Sequence, residues 1–433
     1  AFGTNTMQCN TEGDENTAFG MQAMNKNTTG EHNSALGSNA LGNTTTGSRN
    51  VAAGRLAMHS NTTGHGNVAI GLCALNANTD QNDSVAVGHC ALDANTCPNM
   101  TAVGAYALQL NTTGTNNVAV GMGSLDANTT GTNNVAVGGQ ALGANTTAVG
   151  NTAVGYQSLD ANTTGFNNTA VGNCSGSGIT TGDCNTFVGA FAAYTASTGN
   201  NNTAVGDQAL SLMTTADDNT AVGRSSLKAT TTGATNTAVG ACSLRDNTEG
   251  ANNVAVGSES LRLNTTATNN TAVGGRSLFT STTGSCHTAL GNNAMKRTTT
   301  GASSTAVGYL ALCSQTTGSF NTAIGICAGC TNTTGANISA IGRNAQPSSA
   351  TVSDEFTLGD SNITSLRCAD TSISSLSDLR DKKNIEDLPH GLDYILALRP
   401  VKFDWNTRDG TRIGKKDYGF IAQELDKVEE KFG

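Results

Sequence analysis

The chain has 433 residues, 52 of them glycine, with 4% aromatic residues, a single tryptophan (Trp405) and a formal net charge of −9. Large side chains are too scarce to fill ordinary globular cores, which leaves disorder or a repeat fold. The acidic balance without clustered Lys and Arg excludes nucleic acid as a partner, and no apolar run approaches the roughly 18–20 residues that would insert in a membrane.

From Ala1-Phe2-Gly3 onwards the string Thr-Ala-Val-Gly recurs. Its glycine falls at 3, 20, 37, 54, 71, 88, 104, 121, 138 and so on to 342, with every interval 17 residues except the 16 between Gly88 and Gly104. Disorder needs no fixed phase, so the repeat is structural. The first residues already stand in phase, and the sequence reads as a piece of a longer chain.

Each unit reads as one coil. Asn-Thr/Val-Ala-Val is a short strand, and the glycine makes a turn that a Cβ would obstruct. Ala or Ser followed by Leu (Leu75, Leu142, Leu210, Leu261) suggests a second short run, and Asn-Thr-Thr-Gly-x-Asn the return turn. Recurring Val and Leu are expected inside. Helix is excluded, because glycine and β-branched residues recur and no 3.6-residue stripe exists. One coil cannot offset its own backbone entropy, so coils must stack and chains associate. Stacking at about 4.8 Å per coil gives a shaft of roughly 100 Å. The fold class expected for residues 1–345 is therefore all-β, a parallel β-solenoid of about twenty 17-residue coils, assembled as a homotrimer.

Asn-Thr-Ala-Val-Gly-x-x-Ala-Leu and Asn-Val-Ala-Val-Gly resemble the head repeats of trimeric autotransporter adhesins. That resemblance implies a left-handed parallel β-roll assembled in threes. It leaves open the head of a bacterial surface adhesin as an alternative function. An ice- or surface-binding solenoid is a further alternative, which would want a Thr-x-Thr ladder; here Thr alternates with Val68, Val118 and Val254.

Twelve cysteines are scattered. Cys73 and Cys90 share a phase on neighbouring coils, as do Cys313 and Cys330, close to disulfide spacing but with parallel Cβ vectors; buried free thiols are expected. Cys327-x-x-Cys330 lacks the second pair that zinc would want, and six scattered His suggest no metal or cofactor. The Asn-Thr-Thr strings match the glycosylation acceptor pattern, but turn and strand chemistry accounts for them.

A Ser/Thr-rich linker is read over 346–377, followed by a domain at 378–433 that holds 23 of the 55 charged residues. There a short helix is expected over Leu388–Leu398, ended before Pro400, then a strand at Val401–Trp405 and a second helix opening at Tyr418. Ser377-Asp378-x-Arg380-x-Lys382-x-Asn384-Ile385, then Leu-Arg-Pro-Val-x-Phe-x-Trp at 398–405, then Gly-Phe-Ile-Ala-Gln-Glu-Leu at 419–425, resemble the intramolecular chaperone domain (peptidase family S74) of phage tail fibres and endosialidases. The resemblance implies a small α+β domain, here partial, that trimerises the fibre and then cuts itself away. Carried over by position, Ser377 is the catalytic serine, Lys382 its base and Asp378 the residue after the cut. The activity is a single-turnover self-cleavage rather than substrate turnover. The expected function is a fibre shaft on a virion surface or otherwise extracellular. Its partners are two further copies of itself and a host surface receptor or glycan.

Overall fold

The computed structural model describes residues 1–367, 391–404 and 416–432. Two compact units divide the chain, Ala1–Ile363 and Thr364–Gly433.

The first unit is a parallel β-solenoid. Strands of three residues, β1 (Thr17–Phe19) to β20 (Ser339–Ile341), recur once per coil and pair in register, so that Thr169, Ala170 and Val171 lie beside Thr186, Phe187 and Val188. β21 (Phe356–Leu358) adds one further strand and carries the sheet of 21 beyond residue 345 into the stretch 346–377. Hydrogen bonds between coils run round the whole circumference. Thr169 N donates to Asn185 O (2.8 Å), Leu159 N to Ser175 O (3.0 Å) and Thr163 N to Thr180 O (2.9 Å). Each coil therefore lends its neighbours the bonds that a single coil cannot make for itself.

Two expectations about the coil interior need correction. The strand turns its middle residue inward: Ala170 is fully buried while Val171 is 38% exposed. Alanine and leucine fill the core, and the recurring valines stand on the outer face. The reason is space, because a thin coil that holds Leu159 has room for only a methyl group opposite. Nor is there a second strand. The segment after each glycine is a run of turns, in which Gln157 (φ 52°) and the buried Leu159 (φ 51°) are left-handed, as is Asn167 (φ 56°) in the return turn. Such residues cost about 1–2 kcal/mol each, and they persist because stacking over-determines them.

The glycine column needs its residue. From Gly3 to Gly342 φ lies between +117° and +143°, and a Cβ on Gly155 would meet Gly172 O at 2.3 Å.

Asparagine builds two buried ladders rather than exposed turns. Asn168 N donates to Asn151 Oδ1 (2.9 Å), and Asn168 Nδ2 to Gly182 O of the next coil (2.7 Å). In the second ladder Asn128 Nδ2 donates to Asn111 Oδ1 (2.7 Å) and to Gly131 O (3.1 Å). Burial removes these Asn side chains from any glycosylating enzyme. The second ladder is interrupted by Ile179, Ala196 and Met213, and Asn162 Oδ1, next to that gap, is left without a partner. Beside this block Phe187 replaces the usual strand alanine. Its ring fills the volume vacated at Gly176, where a leucine would normally stand; a Cβ there would meet Phe187 Cδ2 at 2.8 Å. The 16-residue coil keeps its strand register, Val85 facing Thr101, by losing a residue in the return turn around Thr96-Cys97-Pro98.

Candidate functional site

In the second unit α1 (Gly391–Ala397) forms from Leu392, Tyr394, Ile395 and Leu396 and ends ahead of Pro400, as the proline requires. β22 (Val401–Asp404) and β23 (Lys416–Gly419) make an antiparallel hairpin, in which Lys402 faces Tyr418. The lysine ammonium lies 5.3 Å from the centre of that ring. Tyr418 and Gly419 are thus strand residues, and α2 (Ala422–Phe432) starts later than the sequence pattern suggests. The cross-strand contact holds Tyr418 in the hairpin. Ile421 O then accepts from Glu424 N (2.9 Å) and Leu425 N (3.1 Å) to open the helix.

Two contacts join α1 and the residues after it to α2. Tyr394 and Phe432 meet edge to face at 5.7 Å. Arg399 grips Glu424 with both nitrogens, Nε to Oε2 at 2.9 Å and Nη2 to Oε1. The guanidinium holds the Glu424 carboxyl below its ordinary range, first through the hydrogen bond and then through its charge. The cleft between Leu398, Phe420, Ile421, Leu425 and Val428 measures about 10 Å³, room for no more than a water.

Among the described residues of this unit, α1 and α2 form no buried core. No side chain of α1 or α2 is buried, and Leu392 (69% exposed), Leu396 (72%) and Phe420 (48%) face outward. Residues 377–433 match the family model described as chaperone of endosialidase, Peptidase S74. The C-terminal segment is an S74 chaperone segment. Joined to a repeat β-solenoid, it gives the chain the organisation of a phage tail fibre-like protein. No curated protein matches the chain.

Ser377, Asp378 and Lys382 lie outside the described residues, as does Trp405. The cysteines among the described residues are free, and they are half-buried or exposed rather than buried. Burial, followed by the neighbouring Asp93 and Cys73, raises the Cys90 thiol. Burial likewise raises Cys330, with Cys313 and Cys327 adding to it, while Gln346 Nε2 touches its sulfur at 3.4 Å. Among the described residues no group of three His, Cys, Asp or Glu is arranged to hold a metal ion, and no helix is long and apolar enough to cross a membrane.

Sequence reasoning missed the outer strand face. The residue before each column glycine makes a ladder of half-exposed aliphatic side chains: Val103, Val137, Val188, Val239, Leu290 and Ile324 are each 36–43% exposed. Strand alternation could have revealed it, had the small alanine been assigned to the inside.

Proposed function

We propose that the chain is the shaft of a parallel homotrimeric fibre, displayed on a virion surface for attachment to a host receptor or glycan. Its S74 segment aligns three chains and then releases itself. The observation that carries this reading is the C-terminal segment that buries no side chain of its helices while exposing Leu392, Ile395, Leu396 and Phe420. Such elements gain a core by packing against copies of themselves. The aliphatic ladder on the strand face supports the same reading for the shaft. That face pairs Thr or Val with an aliphatic residue, not the Thr-x-Thr of an ice-binding surface.

The release step hydrolyses the peptide bond between Ser377 and Asp378. Lys382, when neutral, takes the proton of the Ser377 hydroxyl. Attack on the residue's own carbonyl would close a four-membered ring, so the hydroxyl comes from a neighbouring chain. Water then completes the cut, leaving a carboxylate on Ser377 and an amino group on Asp378. Cleavage consequently follows assembly. Native mass measurement should give three chains per particle, and a stable monomer at micromolar concentration would defeat the reading. On denaturing gels with N-terminal sequencing, the small product should begin at Asp378. Ser377→Ala and Lys382→Ala should leave one full-length chain. Cutting that survives Ser377→Ala, or a product starting elsewhere, would overturn the assignment of the cut.

A further inference from the structure

The fifth residue after each column glycine forms a column of its own, on the turn segment rather than the strand. It is kept in register by the backbone. Leu110 N donates to Asp126 O (3.1 Å), Ala144 N to Asp160 O (2.9 Å), Leu212 N to Lys228 O (3.0 Å) and Thr280 N to Lys296 O (3.1 Å). At the coil of Gly189 this column holds Tyr194, 45% exposed, with Phe191 edge-on at 5.6 Å. One coil away in either direction stands a serine, Ser177 or Ser211. Two coils away stand Asp160 on one side and Lys228 on the other, four coils away Asp126 and Arg262, and six coils away Asp93 and Lys296. Each of these acids therefore has a base at the same distance on the other side of Tyr194; Arg245, three coils away and opposite Gly143, is paired with Asp246 beside it.

The surrounding turn face reinforces the pattern. Over the coils from Gly88 to Gly155 its only Asp, Glu, Lys or Arg side chains are those three aspartates. Over the coils from Gly223 to Gly291 it carries seven bases against Asp246 and Glu259. None of the three aspartates has an ion-pair partner among the described residues, and Lys296 has none either. Arg262 shares Glu259 with Arg276, yet its buried Nε has no hydrogen-bond acceptor. Burial raises the Asp126 and Asp160 carboxyls, with the charge of Asp126 adding to it for Asp160.

We propose that this column is a docking surface for a second copy of the chain lying antiparallel, about a two-fold axis through Tyr194. Turning the copy end for end brings Asp160 to Lys228, Asp126 to Arg262 and Asp93 to Lys296, and each pair forms twice. The two tyrosines meet at the centre. Such an interface is self-complementary and closes between two chains, while a trimer carries three such columns and pairs with more than one other trimer. Two copies pointing the same way and displaced by eight coils would also make three acid–base pairs, Asp93–Lys228, Asp126–Arg262 and Asp160–Lys296, but only once per contact, and would grow without end. The column is on a different segment of the coil from the aliphatic strand face, so pairing joins assembled fibres side by side and uses no surface that the trimer needs.

The test is mass measurement of the whole chain in low and high salt. Particles should associate in low salt, single chains to twice their mass and trimers beyond it, and separate as ionic strength rises. Reversing the acids (Asp93→Lys, Asp126→Lys, Asp160→Lys) or the bases (Lys228→Asp, Arg262→Asp, Lys296→Asp) should weaken association by about tenfold or more. Mixing the two triple variants one to one should restore it, as should all six changes in one chain. Unchanged pairing in both triple variants, or no rescue on mixing, overturns the proposal. Circular dichroism confirms that each variant is folded, and the rescued six-fold variant keeps the test valid if one triple variant is not. A label on residue 1 should appear at opposite ends of each pair under the electron microscope; labels at one end, offset by eight coils, overturn the antiparallel arrangement. Failure of the trimer leaves single chains that pair to twice their mass, whereas failure of pairing abolishes association at any starting mass.

Discussion

The shaft and the C-terminal segment use opposite economies. A typical shaft coil buries an alanine, a leucine and two polar side chains against similar neighbours, as at Ala170, Leu159, Asn162 and Asn168. The partners a coil needs are always the next coils of its own chain. The S74 segment has more conventional sequence, with helices, a hairpin and large apolar residues, yet none of the side chains of α1 or α2 is buried. Repetition makes the first self-sufficient along its axis, while the second leaves its large apolar residues exposed. Stability and assembly are thus separated along the sequence, and substitutions should separate them too.

The largest effect is expected at the glycine column. Gly155→Ala places a Cβ 2.3 Å from Gly172 O at a φ of +136°, where the contacted atom is backbone and cannot move aside. Local coil separation should cost more than about 4 kcal/mol, read as a fall in the thermal unfolding midpoint of the shaft. Gly419→Ala is the matched change in β23, where the nearest atom is Phe403 Cε1 at an ordinary 3.6 Å. It should leave unfolding almost unchanged.

Leucine truncation sharpens the contrast further. Leu159→Ala empties part of a fully buried site and should destabilise the shaft by about 2–5 kcal/mol in denaturant unfolding. Leu396, 72% exposed, should cost the shaft nothing when changed to alanine. It should instead reduce the yield of assembled particles by native mass. Equal effects of the two changes on unfolding would erase the distinction between the units.

The ladder gives a comparable loss by a different route. Asn168→Ala removes the acceptor of Asn185 N–H (3.0 Å) and the donor to Gly182 O (2.7 Å), both buried. Unsatisfied groups of this kind cost about 1–3 kcal/mol each. Thermal unfolding should fall by an amount close to that of the leucine change.

Periodicity made the solenoid, its coil length and the glycine column legible, because a constant phase admits one stacking register. It left the direction of the strand open. Thr-Ala-Val satisfies alternation with either face inward, and hydrophobicity pointed to Val171 where volume selected Ala170. The left-handed Leu159 was equally hidden, since leucine rarely adopts that conformation outside an environment that imposes it. At the C-terminus, the three motifs that carried the S74 resemblance lie within the matched residues 377–433 or overlap them. The aliphatic ladder was not legible because it depends on the strand orientation that composition could not settle.

The smallest expected effect is a pH dependence confined to one coil. His287 occupies a position that Asn fills in most coils. Its backbone N–H still donates to Asn270 Oδ1 (2.9 Å), and its Nε2 meets Gly301 O at 2.5 Å as an amide would. Nδ1 accepts from Ser304 N–H at 3.3 Å, which requires the neutral ring. Burial is the largest cause holding its pKa below the ordinary 6.5; the bond from Nε2 to Gly301 O opposes it, whereas the Ser304 N–H can donate only to an unprotonated Nδ1, and no charge contributes. Below about pH 6.5 the unfolded chain therefore takes up a proton that the folded chain refuses, so stability rises with pH through this window and is lost as pH falls. The loss cannot exceed about 1.4 kcal/mol per pH unit for one group. Carboxylates also titrate over this range, so the informative quantity is the difference between the chain and His287→Asn, which restores the ladder residue without a titratable ring. Unfolding midpoints of the two should agree above pH 7 to within the cost of repacking and diverge progressively between pH 6.5 and 5, with the histidine chain falling further. Parallel curves over that interval would mean that His287 binds a proton as readily folded as unfolded, and that the ring is not locked in the ladder.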